Sequence, residues 1–215
     1  MNTRGFAVRS AASRQRGFSL VEVLISIIIL SFGMLGMVGM QAAALQSNRE
    51  ARLQSVAYSL VQELAEMMRG NQDVALLSAG NPFLVSVSSP MTPGTASYCL
   101  SVSGSGCSGT DIAAKTTLAQ AQMTDWLARV EAELPGARVV VCADTAPYDG
   151  GGLPQWNCSG TPPGGFMTQV PRFVKIGWTQ SSTNRAAPAS GLLIRTGDAA
   201  SRPALVFPVI AGSTL

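Results

Sequence analysis

A lone carboxylate near the start of a long apolar segment is the first feature of the chain that could do chemistry. Glu22 is followed by 23 consecutive uncharged residues, from Val23 to Leu45. A charged side chain deep in a bilayer costs about 2.5–3.5 kcal/mol on insertion scales, so it persists where it has a partner or a task. Cleavage of the bond between Gly17 and Phe18 would create an α-ammonium group four residues before Glu22. These opposite charges could pair within one helix or between neighbouring subunits.

A simpler interpretation of Glu22 requires no cleavage. A carboxylate in the first turns of a helix is favoured by the helix dipole, and Glu22 would then mark only the membrane interface. The residue by itself leaves both interpretations open.

The uncharged run after Glu22 is long enough to cross a membrane as a helix. Its 23 residues would span about 35 Å, against roughly 30 Å for the hydrocarbon core. The charged residues before Phe18 are all basic: Arg4, Arg9, Arg14 and Arg16. A basic segment before an apolar run predicts a single-pass helix whose N-terminus stays in the cytoplasm. The alanines at 42–44 resemble a secretory cleavage site, but the apolar core exceeds the roughly 7–15 residues of such signals, so we expect no cleavage there.

The overall charge does not favour a nucleic-acid partner. The chain has 215 residues with 15 basic and 12 acidic side chains, and four of the basic ones precede Phe18. The rest of the chain, from Phe18 onward, therefore has eleven basic and twelve acidic residues. The mild basicity belongs to the N-terminal segment and says little about a partner of the rest.

After the apolar run the sequence becomes amphipathic. Apolar side chains recur at spacings of three and four residues, at Leu53, Val56, Ala57, Leu60, Val61, Leu64 and Met68. This spacing predicts a helical stripe packed on a domain, so that residues 18–69 form one helix. Gly70-Asn71 is predicted to end that helix, with the glycine in the left-handed conformation.

Residues 71–215 are predicted to form a head with a second helix and an antiparallel sheet packed on the long helix, an α+β fold. The second helix is predicted at Asp111–Leu134, before Pro135-Gly136. Its buried stripe comprises Ala119, Met123, Trp126, Leu127, Val130 and Leu134. Strands are predicted at Arg138–Ala143, Arg172–Thr179 and Ala204–Ile210, with a weaker one at Phe83–Ser88. In the strand Arg172–Thr179, alternate residues share a face, which places Val174, Ile176 and Trp178 on one face.

The four cysteines all lie in the head, as Cys99, Cys107, Cys142 and Cys158. An even number in an oxidising compartment predicts two disulfides, for which three pairings are possible. We favour Cys99–Cys107 and Cys142–Cys158, because each pair closes a Gly-rich loop locally. A zinc site is the alternative, but the chain has neither a CxxC pair nor a histidine.

No constellation of residues indicates an enzyme. Without histidine, Ser-His-Asp and Cys-His arrangements are impossible. Asp144, Asp149 and Asp198 are isolated acids in predicted loops, where we expect solvated turn residues rather than an acid/base pair. The DGGG run at 149–152 lacks the lysine and the following helix of a phosphate loop. We therefore predict no catalytic, metal-binding or cofactor-binding residue.

The segment around Glu22 resembles a known processing signal. From Arg16 to Glu22 the chain reads RGFSLVE, which is similar to the type IV prepilin motif of a basic residue, Gly, Phe, a small hydroxyl residue, two aliphatic residues and Glu. The resemblance implies cleavage after Gly17 by a prepilin peptidase on the cytoplasmic face, and N-methylation of Phe18. It also implies that Glu22 pairs with the terminal amine of a neighbouring subunit during assembly.

The chain departs from many major pilins, which have a proline inside this helix. The first proline here is Pro82, and Gly33, Gly36 and Gly39 occupy the corresponding region. Each glycine weakens a helix by roughly 1 kcal/mol relative to alanine. These three predict either a softened segment or close helix packing in the membrane, and both interpretations stay open.

Further segments resemble the type IV pilus modification protein PilV family. They are YSLVQELAEMMRGN at 58–71, WLARVEAELPG at 126–136 with VVVCAD at 139–144, and RFVKIGW at 172–178. This resemblance implies a low-abundance minor pilin that primes or modifies pilus assembly near the tip. Its partners would be the prepilin peptidase, other minor and major pilins, the inner-membrane assembly platform and membrane lipid.

Together these interpretations divide the chain into four segments: a cleaved basic leader at 1–17, a transmembrane half-helix at 18–45, an amphipathic half-helix at 46–70 and a periplasmic head at 71–215. The protein would lie in the inner membrane of a Gram-negative bacterium and then in the surface pilus. Two alternatives stay open. A minor pseudopilin of a type II secretion system would share the leader, Glu22 and the sheet-bearing head. A monomeric membrane-anchored binding domain would never assemble, so Glu22 would have no role in it.

Overall fold

The described residues of the computed structural model are 17–92, 99, 109–160, 171–182 and 193–210. The helices in this part of the chain are α1 (Leu20–Gly70), α2 (Gln72–Ala75) and α3 (Ile112–Glu133). The strands are β1 (Ser86–Ser88), β2 (Arg138–Ala143), β3 (Arg172–Gly177), β4 (Gln180–Ser181), β5 (Leu193–Ile194) and β6 (Leu205–Val209). The predicted α+β fold, with a long N-terminal helix, an antiparallel sheet and a shorter helix, is confirmed.

The chain divides into two compact units, Met1–Ser47 and Asn48–Leu215. The first unit contains the apolar part of α1, in which the large side chains are exposed on every side. Among the described helices, α1 is the one long and apolar enough to cross a membrane, by length and composition.

The second unit contains the amphipathic part of α1. Its buried residues are Ala57, Leu60, Val61, Leu64, Ala65 and Met68. The stripe predicted from the spacing is thus confirmed, with Leu53 and Val56 partly buried at its start.

The predicted end of α1 at Gly70-Asn71 is confirmed, but the left-handed conformation predicted for the glycine is wrong. Gly70 is not among the described glycines with positive φ, and α2 follows almost at once. The side-chain amide of Asn71 donates to the carbonyl oxygen of Met67 at 2.8 Å, which supplies a second donor to that carbonyl in the last turn of the helix.

The start of helix α3 is set by its N-cap residue, Asp111. The carboxylate of Asp111 accepts a hydrogen bond from the Ala114 amide at 2.9 Å, so Asp111 is the N-cap and the helix starts one residue later. Five residues of the predicted stripe are buried and Leu127 is partly buried. Gly136, with φ of +61°, then turns the chain into β2.

The main sheet has the strand order β1-β2-β3-β6 and is antiparallel throughout. The predicted strand Arg138–Ala143 is confirmed with the same bounds, and the other three predicted strands are confirmed with shorter bounds. Val139, Val141, Val174 and Ile176 belong to the same core as the buried stripes of α1 and α3. A separate two-stranded sheet, β4 with β5, was not predicted from the sequence.

The opposite face of the main sheet is covered by residues 144–160, which we call the strap. The ring of Trp156 lies against Gly177, where a Cβ would be 3.1 Å from it. Gly160 lies so close to Ala143 that a Cβ would be 2.3 Å from the Ala143 carbonyl oxygen. Strand β3 is therefore buried on both faces. A side chain at position 160 would collide with the backbone of Ala143, whereas one at position 177 would require the Trp156 ring to shift by a few tenths of an ångström.

Candidate functional site

The predicted processing site lies directly before α1. Gly17, Phe18 and Ser19 are not helical, and the helix begins at Leu20. Phe18 is 84% exposed, and a Cβ at Gly17 would meet no atom of the described residues within 4 Å. The bond between Gly17 and Phe18 therefore lies in exposed, irregular chain, which is the kind of segment that proteases cleave.

Glu22 lies in the first turn of α1. Its backbone amide donates to the Ser19 carbonyl oxygen at 3.0 Å. Its side chain is exposed, and the carboxylate has no ion pair with any described residue. The carboxylate is therefore available to a cation from outside the described chain, at the edge of an apolar surface.

That apolar surface covers α1 between Leu20 and Leu45 on all sides. The largest apolar patch on a typical soluble monomer is about 300–600 Å². A surface that surrounds seven turns of helix needs lipid or other apolar helices to cover it.

The strap holds a fully buried ion pair in the head. Lys175 Nζ donates to the carboxylate of Asp144 over 2.5 Å, and both side chains are inaccessible to solvent. Lys175 also donates to the carbonyl oxygen of Asn157 over 2.5 Å. The Ser159 hydroxyl donates to the second oxygen of Asp144 at 2.6 Å. Both charges are thus satisfied by groups from β3 and from the strap.

The hydrogen bonds decide the ionisation of Asp144. Burial by itself raises its pKa, but the bonds from Lys175, Ser159 and the Ala146 amide outweigh burial and lower the pKa to about 2. A general acid or base works best with a pKa near the operating pH, so this environment suits a permanently ionised structural carboxylate. The prediction that Asp144 is a solvated turn residue was wrong, because its main partner lies 31 residues further along the chain.

Asp149 and Asp198 lie in turns, as predicted. Asp149 accepts from the Leu153 amide at 2.9 Å, and this bond lowers its pKa together with the contact from Arg202. Asp198 accepts from the Arg195 amide at 2.8 Å. In the described ranges, no three His, Cys, Asp or Glu side chains lie together as a metal site.

Cys142 and Cys158 form a disulfide, which is one of the two favoured pairings. Cys142 is in β2 and Cys158 is in the strap, so the bond fastens the strap to the sheet. Cys99 is also disulfide-bonded, but its predicted partner Cys107 lies outside the described residues. The zinc alternative fails for Cys142 and Cys158, because their sulfurs are joined to each other.

Sequence reasoning missed Lys175 altogether. In RFVKIGW it occupies the position between Val174 and Ile176, where alternation predicts the face away from the core. A signal for the buried pair was present in the disulfide prediction. Joining Cys142 to Cys158 brings the residues after each cysteine close together, and these include Asp144.

A family model described as the prokaryotic N-terminal methylation motif matches residues 12–38. The match includes RGFSLVE and the first turns of α1, and it stops before the head. No curated protein and no solved structure gives a significant match to the chain. The chain therefore carries a methylation motif of the type IV prepilin kind at its N-terminus.

Proposed function

We propose that the protein is a minor type IV pilin of the PilV kind, cleaved after Gly17, methylated at Phe18 and assembled through Glu22. The observation that carries this proposal is the position of the Gly17–Phe18 bond of RGFSLVE, in exposed chain directly before an apolar helix. The match to the methylation motif supports the same interpretation.

Cleavage would give Glu22 a partner. The new α-ammonium of Phe18 would lie two residues before the start of α1, and Glu22 is in the first turn. An ammonium group from a neighbouring subunit could reach the unpaired carboxylate equally well. In apolar surroundings such a pair is stronger than in water, and it removes the need to keep an isolated charge in lipid.

The head is consistent with a periplasmic location. The Cys142–Cys158 disulfide is typical of a protein that matures in an oxidising compartment. The segments that resemble the PilV family form the end of α1, the end of α3, and strands β2 and β3. They supply most of the core of the head, and the role of a minor pilin near the tip is proposed from their resemblance.

Substituting Glu22 tests the assembly role. We expect Glu22→Ala to be cleaved and found in the inner membrane but absent from sheared pili, because the amine of its neighbour has no carboxylate to meet. Glu66→Ala is the matched control, since Glu66 is an exposed glutamate of the same helix that pairs with Arg69. It should be recovered in pili like the wild type. Recovery of Glu22→Ala in pili at wild-type levels would contradict the proposal.

The intact mass of the membrane-extracted protein tests processing. We expect a chain that begins at Phe18 and carries one additional methyl group. Gly17→Ala should retain the leader. A processing defect in this variant reports the peptidase, because a Cβ at Gly17 meets no atom within 4 Å in the described part of the chain. A chain still intact across the 17–18 bond in cells that build pili rejects the proposal. Deletion should remove surface pili and leave protein secretion intact, whereas a secretion pseudopilin would show the reverse.

A further inference from the structure

A groove with charged walls lies in the second unit, between the turns of α1 that follow Asn48 and the end of α3. Its volume is about 630 Å³, and we call it the Arg49 groove. Small-molecule sites usually have about 300–1,000 Å³, so the groove can hold a ligand larger than one side chain. Its lining includes Arg49, Arg52, Leu53, Val56, Glu133 and Pro135.

The charged side chains of the groove have no ion pair within the described part of the chain. Arg49, Arg52 and Glu133 are all exposed, and none of them is bonded through its side chain to another described residue. The two arginines are three residues apart, so they share one face of α1. Glu50 is half-buried and does not line the groove, because residues one or two apart on a helix point in different directions. The lining therefore carries two positive charges and one negative charge.

The negative charge lies at a helix end that favours a cation. Glu133 is the last residue of α3, and this helix has no basic residue in its last turn. The C-terminus of a helix carries a partial negative charge, to which the carboxylate adds. A ligand that complements the whole groove therefore has an anionic group for the arginines and a cationic group for Glu133.

The sequence places the groove next to the predicted membrane segment. Arg49 is the first charged residue after Glu22 and the fourth residue after Leu45. Four residues of an α-helix rise about 6 Å. The polar region on each side of a bilayer is about 5–8 Å deep, which is half the difference between the total thickness and the hydrocarbon core. With the apolar run in the hydrocarbon core, Arg49 lies at the level of the lipid headgroups.

We propose that the Arg49 groove binds the headgroup of a zwitterionic phospholipid that carries a phosphate and a primary ammonium group, as phosphatidylethanolamine does. The phosphate accepts hydrogen bonds from the guanidinium groups of Arg49 and Arg52, since the planar fork of arginine matches phosphate oxygens. The ammonium group donates to the carboxylate of Glu133. The half-buried side chains of Leu53 and Val56 contact the glycerol and the first methylene groups of the lipid.

Lipid binding to the full chain in detergent micelles tests the site. The delipidated protein is titrated with phosphatidylethanolamine or with phosphatidylglycerol, whose headgroup has no ammonium group, and bound lipid is counted by native mass spectrometry. We expect saturable binding of one phosphatidylethanolamine, roughly fivefold tighter than phosphatidylglycerol, because only the former pairs with Glu133. Soluble O-phosphoethanolamine should compete only in large excess. Competition at equal concentration would identify a site for a free phosphate compound and overturn the lipid assignment.

Variants separate the two halves of the headgroup. Arg49→Gln/Arg52→Gln should weaken the binding of both lipids at least tenfold, because both share the phosphate. Glu133→Gln should weaken phosphatidylethanolamine roughly fivefold and leave phosphatidylglycerol unchanged, so that the preference disappears. Arg69→Gln/Arg195→Gln is the matched control, since it removes two exposed arginines that do not line the groove. All three variants change exposed side chains and should unfold at the wild-type midpoint.

The proposal is overturned if the variant without Arg49 and Arg52 binds lipid like the matched control, which would mean that the bound lipid only surrounds the apolar helix. It is equally overturned if Glu133→Gln keeps the preference for phosphatidylethanolamine. The site rests on membrane anchoring by α1 and not on assembly through Glu22. Glu22→Ala should therefore bind the lipid like the wild type, so failure of the assembly proposal is distinguishable from failure of this one.

Discussion

Removing the carboxylate of Asp144 should strongly destabilise the head. Asp144→Ala leaves the ammonium of Lys175 fully buried, with the Asn157 carbonyl oxygen as its remaining partner. Breaking a buried ion pair by removing one partner typically costs about 3–5 kcal/mol, because the other charge is left uncompensated. Since a domain is stable by about 5–15 kcal/mol, this single change removes a large part of the total.

Removing both charges should lower the free energy of unfolding by less than the sum of the two single substitutions. Lys175→Met alone leaves the carboxylate of Asp144 buried, although Ser159 and the Ala146 amide still donate to it. The double variant Asp144→Ala/Lys175→Met leaves no buried charge at this point. We therefore expect a coupling of about 1–3 kcal/mol between the two positions, as for groups in direct contact.

The pair should also make stability depend on pH in a defined window. The pKa of Asp144 is about 2 in the folded protein, below the ordinary value of 3.8. The unfolded chain therefore binds the proton first, so the contribution of Asp144 is full above about pH 4 and is lost as the pH falls towards 2. The difference between these values corresponds to a contribution of about 2 kcal/mol.

Urea unfolding of the detergent-solubilised chain, followed by tryptophan fluorescence, measures these effects at pH 6 and pH 3 at fixed ionic strength. Asp73→Asn is the matched control, since Asp73 and Lys115 form an Asp–Lys pair that is 63% and 39% exposed. An exposed pair contributes about 0–1 kcal/mol, so this variant should unfold near the wild type. The reasoning is refuted if Asp144→Ala is no more destabilising than Asp73→Asn, or if the two single losses simply add.

Two further changes probe the rest of the head by the same unfolding midpoint. The double variant Cys142→Ser/Cys158→Ser should lose about 3 kcal/mol, because it opens a loop with a sequence separation of 16 residues. A midpoint equal to that of the wild type would show that the disulfide adds nothing. Trp126→Phe should lose about 1–3 kcal/mol, since it leaves the Leu60 carbonyl oxygen without this donor and opens a gap in the core. Trp156→Phe, at a half-buried position, should lose less, and the opposite order would contradict the assignment of Trp126 to the core.

The helices were predictable because their information is local. The stripe through Leu60 and Leu64, and the one through Trp126 and Val130, follow from spacings of three and four residues, which depend only on helix geometry. The N-cap role of Asp111 is local in the same way, because its partner is the Ala114 amide. The processing motif is a contiguous run of seven residues, so it needs no fold to be recognised.

The polar interior was not predictable in this way, because it depends on contacts between distant segments. Lys175 was missed since alternation along a strand identifies one buried face and says nothing about what covers the other. Trp178 was predicted on the same strand face as Val174 and Ile176, and all three are buried in the core. Such partners are set by topology, and the sequence pattern does not report them.

The strap combines a covalent and an ionic attachment, and the two are expected to reinforce each other. The Cys142–Cys158 bond restricts where Asn157 and Ser159 can lie in the unfolded chain, and these are the residues that donate to or accept from the buried pair. Part of the entropy needed to order the strap is thus lost before the pair forms, so the pair costs less to assemble in the oxidised protein. In a reducing compartment the disulfide would be absent, so formation of the ion pair would carry the full entropy cost of ordering the strap. The disulfide therefore lowers the free-energy cost of burying Lys175 in the head.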